Sequence, residues 1–272
     1  MLVAIFISDR ILHLMVKKLK IIGVIQARMD SKRLPGKVML EILGKPILWH
    51  IYERLKKCKT LDLVVISTGE YSNNKQICDF ALQNNIPYYS GSETDLIDRL
   101  YQTAIHFQSS AIVRITADCP LVDPEIVDKL VLEYINGQHD IITNCKKRTF
   151  PHGLDAEVYS VKILKKLCEN IEQQEFREWF PFYIDKNHEL FKILNIENEV
   201  DLSQLRWTID YQEDYEFIKE IFQSLYTKKT KFGMLDVLNL MKEQPHLINI
   251  NSKYIGHHNV GAPTMKSSHD EN

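Results

Sequence analysis

The sequence predicts an α/β protein in which a mostly parallel central sheet is flanked by helices. Short β-rich runs alternate with amphipathic stretches along the first half of the chain, and no linker separates the two halves. Strands that are repeatedly joined through helices imply right-handed crossovers and a parallel sheet covered on its faces. Such a sheet binds ligands beyond the carboxyl ends of its strands, so the residues that follow each strand are the first candidates for function.

The individual elements follow from hydrophobic spacing. Compact β-rich runs predict strands at 21–26, 62–68, 87–90, 111–116 and 140–144. Apolar residues at helical spacing predict helices at 46–58, 74–84, 94–107 and 124–136, with Thr94 as the cap of the third and Pro124 in the first turn of the fourth. Beyond residue 145 the pattern predicts a loop and strand at 149–160, helix at 161–186, strands at 192–196 and 204–209, and helices at 212–226 and 234–243.

Composition excludes several classes of protein. The 272 residues carry 34 Lys and Arg against 36 Asp and Glu, and 44% of them are hydrophobic, which is typical of a globular chain and not of a disordered one. The balanced charge argues against nucleic acid as a partner, because nucleic-acid binders usually present a basic face. No apolar run reaches the roughly 18–20 residues that membrane insertion requires. Five scattered cysteines without a C-x-x-C pair indicate a reducing compartment, so we expect a cytoplasmic protein.

The two ends of the chain differ from its centre. We interpret residues 1–17 as an N-terminal extension that the fold does not need, because Met15 begins a tidier start that leads directly into the first strand. Residues 18–250 form the predicted domain. Residues 251–272 are polar, without periodicity, and are predicted to be a disordered tail.

A basic loop follows the first strand. Four cations and one anion between residues 28 and 37 give this loop a local charge of +3. Arginine binds phosphate oxygens with two nitrogens, lysine adds a point charge, and loop amides add further donors, so the loop suits a polyphosphate. Gly36 would allow close approach of the backbone. The pattern is neither a Walker A loop nor a G-x-G-x-x-G fingerprint. From spacing alone, a merely solvated basic loop remains the alternative.

Two aspartates end distant strands. Asp118 follows the apolar run 111–116, and Asp210 follows the run 204–209. A carboxylate at the ligand edge of a sheet can hold Mg²⁺, which takes few protein ligands together with substrate phosphates. Each aspartate by itself could instead cap a turn or a helix. Their combination with the basic loop makes a site for a metal and a triphosphate coherent.

Long runs of the chain also resemble a known family. The runs IIGVIQARMDSKRLPGK, SGSETDLIDRL, AIVRITADCPLVD, FPHGLDAEVYS and LRWTIDYQEDYEFI, in this order, span roughly residues 20–226. They resemble the spore-coat polysaccharide biosynthesis protein F family of cytidylyltransferases, which is related to the acylneuraminate and 3-deoxy-manno-octulosonate cytidylyltransferases. The resemblance implies a Rossmann-like nucleotide-diphospho-sugar transferase fold. It also implies transfer of CMP from CTP to a sugar acid or related acceptor in polysaccharide biosynthesis, with Mg²⁺ as cofactor and pyrophosphate released.

The same resemblance assigns roles to residues. It implies that the nucleotide is bound by Ala27, Arg28, Ser31, Arg33, Gly36, Lys37, Gly91, Ser92 and Arg99, with Asp95 beside them. Catalysis falls to Arg28, Lys37, Asp118 and Asp210, and the last two are the implied metal ligands. The acceptor is expected at Asp155 and Glu157. Relatives commonly form dimers, so a homodimer is expected.

Several residues depart from the family's pattern. Ala117 replaces a usual Gly, and His152 stands where the family usually has Asp. A common R-E-H-V-T becomes Arg177-Glu178-Trp179-Phe180-Pro181, which loses a His and a Thr and leaves the acceptor open. We interpret Trp179 and Phe180 as core residues. Arg99 has an alternative role, an ion pair with Asp95 on the same helix.

Other activities remain open at this stage. The chain could transfer another nucleotide, or use a phosphonate or phosphosugar acceptor. It could be a nucleotide-sugar glycosyltransferase, although the D-x-D pair expected there is absent around Asp118. It could also bind a nucleotide without catalysis.

Overall fold

A computed structural model of the chain describes residues 19–226 and 231–257. The strands in that part of the chain, numbered in order, are Ile21–Ala27 (β1), Glu41–Ile42 (β2), Lys45–Pro46 (β3), Leu63–Thr68 (β4), Tyr88–Ser90 (β5), Ala111–Thr116 (β6), Ile141–Thr143 (β7), Glu157–Ser160 (β8) and Ile193–Asn195 (β9). Seven of them form one sheet in the order β5-β4-β1-β6-β8-β7-β9, and β2 and β3 form a separate hairpin.

Helices cover both faces of this sheet. They are Ile47–Leu55 (α1), Tyr71–Gln83 (α2), Leu96–His106 (α3), Pro124–Asn136 (α4), Val161–Asn170 (α5), Gln174–Glu178 (α6), Phe180–Lys186 (α7), Gln212–Tyr226 (α8) and Met234–Glu243 (α9). Side chains cap several of them: Asp95 accepts from the Asp98 amide, Asp123 from Glu125 and Ser160 from Ile163. No helix among the described residues is both long and apolar enough to cross a bilayer.

The sheet has two buried faces because β1 alternates its side chains between them. Ile21 and Ile25 pack with apolar residues of α1, α2, α4, α8 and α9. Ile22 and Val24 point the other way, towards α3, α5 and α7. This two-layer burial explains why the strands read as nearly continuous apolar runs in the sequence.

Strand directions decide where the loops meet. β1 pairs in parallel with both β4 and β6, and β4 pairs in parallel with β5. β8 runs antiparallel to β6 and β7, and β9 is parallel to β7. The carboxyl ends of β1, β4, β6 and β7 therefore lie at one edge, together with the start of β8. The predicted fold class, a mostly parallel sheet flanked by helices, is confirmed.

Four details differ from the prediction. The run 204–209 makes a single bridge, between Arg206 and His152, because its backbone bonds to loops and not to a strand. The predicted helix 161–186 is three helices, interrupted after Asn170 and at Trp179. The cap of α3 is Asp95 and not Thr94. α2 begins at Tyr71, three residues before the predicted start, and contains a kink.

The predicted tail also begins too early. Asn251 is only 4% exposed, and its amide nitrogen donates to the Arg206 carbonyl at 3.0 Å and to Asp214 Oδ1 at 2.9 Å. The ring of Tyr254 stacks on Tyr211 with the centroids 3.8 Å apart. Residues 251–257 therefore pack against the domain. The predicted extension at 1–17 and the rest of the tail, 258–272, lie outside the described residues.

Candidate active site

Lys37 lies at the centre of the charged residues that follow the strands. It begins a short 3₁₀ turn directly after Gly36, whose φ of +66° lies in the left-handed region. The Lys37 ammonium donates to Asp118 Oδ2 at 2.8 Å, to Asp210 Oδ1 at 2.9 Å and to the Ile209 carbonyl at 2.7 Å. The basic loop, the end of β6 and the segment before α8 thus meet at one nitrogen, and three of the predicted site residues, Lys37, Asp118 and Asp210, lie together.

The charges at this centre stabilise one another. Burial would raise the pKa of Asp118, but the Lys37 ammonium and its hydrogen bond outweigh burial and lower it to about 2. Burial and the neighbouring Asp118 would likewise raise the pKa of Asp210, whereas Lys37 and Arg33 lower it below the usual range. Burial opposes the charge on Lys37, yet the two carboxylates raise its pKa. Both aspartates are therefore carboxylates at neutral pH.

A buried ion-pair network holds Asp210 in place. Arg206, which is 4% exposed, places Nη2 3.1 Å from Asp210 Oδ2 and binds both oxygens of Asp214 at 2.8 Å. Asp214 also accepts from the amides of Asp210 and Tyr211 at 3.0 Å. From the solvent side Arg33 Nη2 lies 2.6 Å from Asp210 Oδ1. Sequence reasoning missed Asp214, whose only signal was its place in the first turn of a helix next to Asp210.

Asp118 is tied to the same segment through its backbone. The Asp118 carbonyl accepts from the Ile209 amide at 2.8 Å and from Thr208 Oγ1 at 3.2 Å. The segment around Thr208 in turn rests against Gly153, where an added Cβ would lie 2.4 Å from the Trp207 carbonyl carbon. The spacing between the two carboxylates is thus set by backbone contacts as well as by Lys37.

Arg28 lies in a second cluster, beside the loop that follows β5. Its Nη1 donates to the Glu93 carbonyl at 2.7 Å, and its Nη2 lies 2.6 Å from Glu178 Oε1. Arg99 supports the same loop by donating to the Ser92 carbonyl at 2.6 Å. The predicted nucleotide residues thus form two groups, one around Lys37 and one around Arg28.

The remaining predicted nucleotide residues lie close to these groups. Ala27 is buried at the end of β1, so its side chain belongs to the core. Ser31 Oγ accepts from the Leu34 amide at 3.4 Å within the basic loop. The Gly91 amide donates to the Thr68 carbonyl at 3.0 Å, which holds the start of the loop after β5 against β4.

The alternative role of Arg99 is wrong. Asp95 instead pairs with Arg177, with 2.5 Å between Asp95 Oδ2 and Arg177 Nε. Arg99 is 1% exposed, and within the described residues its Nε and Nη2 have no hydrogen-bond partner. Phe180 is fully buried, as predicted, whereas Trp179 is half-buried and packs edge-on against Phe182.

The predicted acceptor residues are both paired with arginine. Arg148 binds both oxygens of Asp155, one of them at 2.8 Å. Burial would raise the pKa of Asp155, but Arg148 outweighs it and lowers the value to about 2. Glu157 pairs with Arg114 and accepts from Tyr159 Oη at 2.8 Å. Sequence reasoning missed both arginine partners, which neutralise these two carboxylates.

The donor set suits a magnesium ion with few protein ligands. Among residues 19–226 and 231–257, no cluster of three or more His, Cys, Asp or Glu side chains could enclose a metal by itself. Two carboxylate oxygens, from Asp118 and Asp210, nevertheless converge on one cationic nitrogen. Mg²⁺ is commonly held by one or two carboxylates and completed by substrate phosphates and waters. The two aspartates therefore fit this ion in combination with a polyphosphate.

A mostly parallel α/β sheet with a basic loop and two carboxylates at its carboxyl edge has the features expected of a nucleotidyltransferase. The chain belongs to the cytidylyltransferase family, whose profile matches residues 22–253, and it is an enzyme of that family. The resemblance noted from the sequence is thereby confirmed.

Individual relatives agree with this assignment. The spore coat polysaccharide biosynthesis protein SpsF of Bacillus subtilis is 29% identical over 234 residues, which cover 83% of this chain and 95% of SpsF. The 3-deoxy-manno-octulosonate cytidylyltransferase of Lawsonia intracellularis is 30% identical over 64% of this chain and 74% of its own. The solved structure of a cytidylyltransferase from Leptospira borgpetersenii aligns with a TM-score of 0.80 and 37% identity, over 85% of this chain and 97% of that one.

Proposed function

We propose that this enzyme transfers CMP from CTP to the hydroxyl of a sugar acid and releases pyrophosphate. The observation that carries the proposal is the contact of one lysine, Lys37, with two carboxylates, Asp118 and Asp210, beside a basic loop. The family supports CTP as the donor, and the named relatives support a sugar-acid acceptor and a role in polysaccharide biosynthesis. The unpaired cysteines among the described residues are compatible with a reducing cytoplasm.

The chain's own residues supply position and charge. Arg33 and Lys37 would bind the β- and γ-phosphates, and Arg28 would join them by leaving its ion pair with Glu178. Neutralising these oxygens stabilises the pyrophosphate as it departs, which is the main task of a protein in phosphoryl transfer. Asp118 and Asp210 would hold Mg²⁺, and this ion would supply a positive charge at the α-phosphate. No nucleophilic side chain is required, because the acceptor hydroxyl attacks the phosphorus directly.

The experiment is a pyrophosphate-release assay with matched lysine variants. Lys37→Ala should lower turnover by about 10²- to 10³-fold, the usual effect of removing a charge-stabilising donor. Lys32→Ala is the matched control, because Lys32 is exposed in the same loop, and we expect nearly wild-type turnover. Asp118→Asn should match Lys37→Ala and weaken the dependence on magnesium.

The assay also separates the alternatives. The wild-type enzyme is offered CTP, UTP, ATP and GTP, each with 3-deoxy-manno-octulosonate, N-acetylneuraminate and hexose phosphates. Preference for another triphosphate would show that the enzyme transfers a nucleotide other than CMP. Binding of CTP without pyrophosphate release from any acceptor would leave only a nucleotide-binding role. Normal turnover by Asp118→Asn would contradict the proposed mechanism.

A further inference from the structure

An open pocket lies beside the site, beyond the end of β7. It has a volume of about 470 Å³, and its lining includes Lys146, Arg148, Ser203, Gln204 and Ile255. The loop that contains Lys146 and Arg148 follows β7. Since β6 and β7 each run antiparallel to β8, which lies between them, they run in the same direction. The pocket therefore opens at the same edge of the sheet as Asp118.

The pocket's charged lining is cationic. Lys146 and Arg148 are the ionised residues among the described residues that line it, and these include no carboxylate. Asp155 binds Arg148 through two guanidinium nitrogens. Since a guanidinium carries five N–H donors, this pair leaves donors for a ligand. Lys146 is 3.5 Å from Asp185, and both side chains are more than a third exposed, so this ion pair is weak and a ligand can displace it.

The polar lining suits hydroxyl groups as well as an anion. Ser203 provides a hydroxyl that can donate and accept, and Gln204 provides both an amide donor and a carbonyl acceptor. Ile255 adds one apolar wall. A polyhydroxylated anion matches this combination, because its oxygens can accept hydrogen bonds from both cations and its hydroxyl groups can pair with the polar side chains.

The wall of the pocket belongs to the same segment of chain that positions Asp210. Gln204 lines the pocket, and Arg206, on the same short segment, holds Asp210 at 3.1 Å. Arg206 Nη1 also donates to the His257 carbonyl at 3.1 Å, which fixes the C-terminal wall of the pocket that includes Ile255. A ligand in the pocket therefore lies against the segment that positions Asp210.

We propose that this pocket binds the anionic group of the acceptor, a polyhydroxylated monosaccharide that carries a carboxylate or a phosphate. Lys146 and Arg148 neutralise the anion, and Ser203 and Gln204 bind hydroxyl groups. The proposal rests on the proposed function, because it assigns the pocket to the second substrate of the same reaction. It adds residues that neither the family's motifs nor the sequence pattern marked.

The test compares two charge reversals on neighbouring lysines. Lys146→Glu reverses a charge in the pocket, whereas Lys147→Glu makes the same change outside it, where Lys147 is 73% exposed and pairs with Glu197. Binding is measured by calorimetry with full-length protein at saturating CTP and Ca²⁺, which we expect to suppress turnover. The probes are 3-deoxy-manno-octulosonate, its methyl ester, N-acetylneuraminate and glucose 1-phosphate.

We expect at least one anionic probe to bind the wild-type protein. For that probe, Lys146→Glu should raise the dissociation constant at least tenfold and Lys147→Glu less than twofold, with CTP affinity unchanged in both. Lys146→Arg should restore binding, and Gln204→Ala should weaken it without a change of charge. The methyl ester should bind at least tenfold more weakly than the free acid if the bound group is a carboxylate, and preference for glucose 1-phosphate would identify a phosphate.

Several results would overturn the inference. Equal effects of the two charge reversals would remove the pocket from the acceptor site, as would the failure of every probe to bind a protein that still binds CTP. If the wild-type protein binds no CTP, that result contradicts the proposed function and not the assignment of the pocket. In that case the same probe titrations are run without nucleotide, and sensitivity to Lys146→Glu would still assign the pocket to a sugar anion.

Discussion

Replacement of Gly153 by alanine tests whether a single close contact sets the position of the carboxylates. Gly153 has a φ of +117°, and an added Cβ would lie 2.4 Å from the Trp207 carbonyl carbon, 2.5 Å from its oxygen and 2.6 Å from the Thr208 nitrogen. Non-bonded carbon atoms normally stay about 3.5–4.0 Å apart, so the backbone of this segment would have to move by about 1 Å. All three atoms belong to the backbone and cannot rotate away.

The expected loss of stability has two parts. An alanine at this φ is strained by about 1–3 kcal/mol, and forcing extra volume into a packed site adds about 1–3 kcal/mol. Together they remove about 2–6 kcal/mol of a total that is typically about 5–15 kcal/mol. Gly44→Ala is the matched control, because Gly44 also has a positive φ, +72°, but has no atom within 4 Å of the added Cβ. In Gly44→Ala only the backbone strain of the positive φ lowers the stability.

Urea unfolding, followed by circular dichroism, measures both variants. We expect Gly153→Ala to lose at least about 1 kcal/mol more than Gly44→Ala, since only the first must displace backbone. Pyrophosphate release should also fall in Gly153→Ala, because the displaced segment carries Thr208, which binds the Asp118 carbonyl. If both variants lost the same stability and retained wild-type turnover, the contact at Gly153 would not control the site.

Three further predictions concern the ion pairs. Asp214→Ala should lower the free energy of unfolding by about 3–5 kcal/mol in urea titrations, because the buried Arg206 loses the carboxylate that binds two of its nitrogens. A loss below about 1 kcal/mol would contradict this. Glu178→Gln should lower the KM for CTP about 2- to 5-fold (about 0.4–1 kcal/mol), because Arg28 then binds phosphate without first breaking an ion pair with a carboxylate. An increase in KM would count against this prediction. Burial raises the pKa of Asp155, but Arg148 lowers it more strongly, so that the pKa falls from 3.8 to about 2. The carboxylate therefore stabilises the fold above about pH 4, and this contribution disappears as the pH falls towards about 2. The stability of Asp155→Asn should depend less steeply on pH between about pH 4 and 2, as measured by urea titration at each pH.

The position of Asp118 could be predicted from the sequence because it depends on the end of a strand. Asp118 follows an apolar run, and the parallel sheet brings such ends to one edge, where the basic loop containing Lys37 also lies. The pair formed by Arg28 and Glu178 could not be predicted, since it joins residues that are 150 positions apart through a helix whose placement depends on tertiary packing.

The segment 204–209 shows a different limit. Its composition is typical of a strand, but strand formation also requires a neighbour with a free ladder of backbone groups. Here the amides of Trp207 and Ile209 bond instead to the carbonyls of His152 and Asp118, in two separate loops. A similar limit applies to Asn251, whose polar neighbours indicated disorder although its amide is bound in the buried network of Arg206.

Contact of Lys37 with both carboxylates has a consequence for the order of binding. In the absence of nucleotide the protein already carries its own counter-ion at this position, fixed to the chain by the lysine stem. A divalent ion that binds both carboxylates by itself would compete with that ammonium for their oxygens. Under the proposed function, CTP would bring phosphates that can accept the ammonium, so the binding of metal and nucleotide should be thermodynamically coupled: each should raise the other's affinity by the same factor.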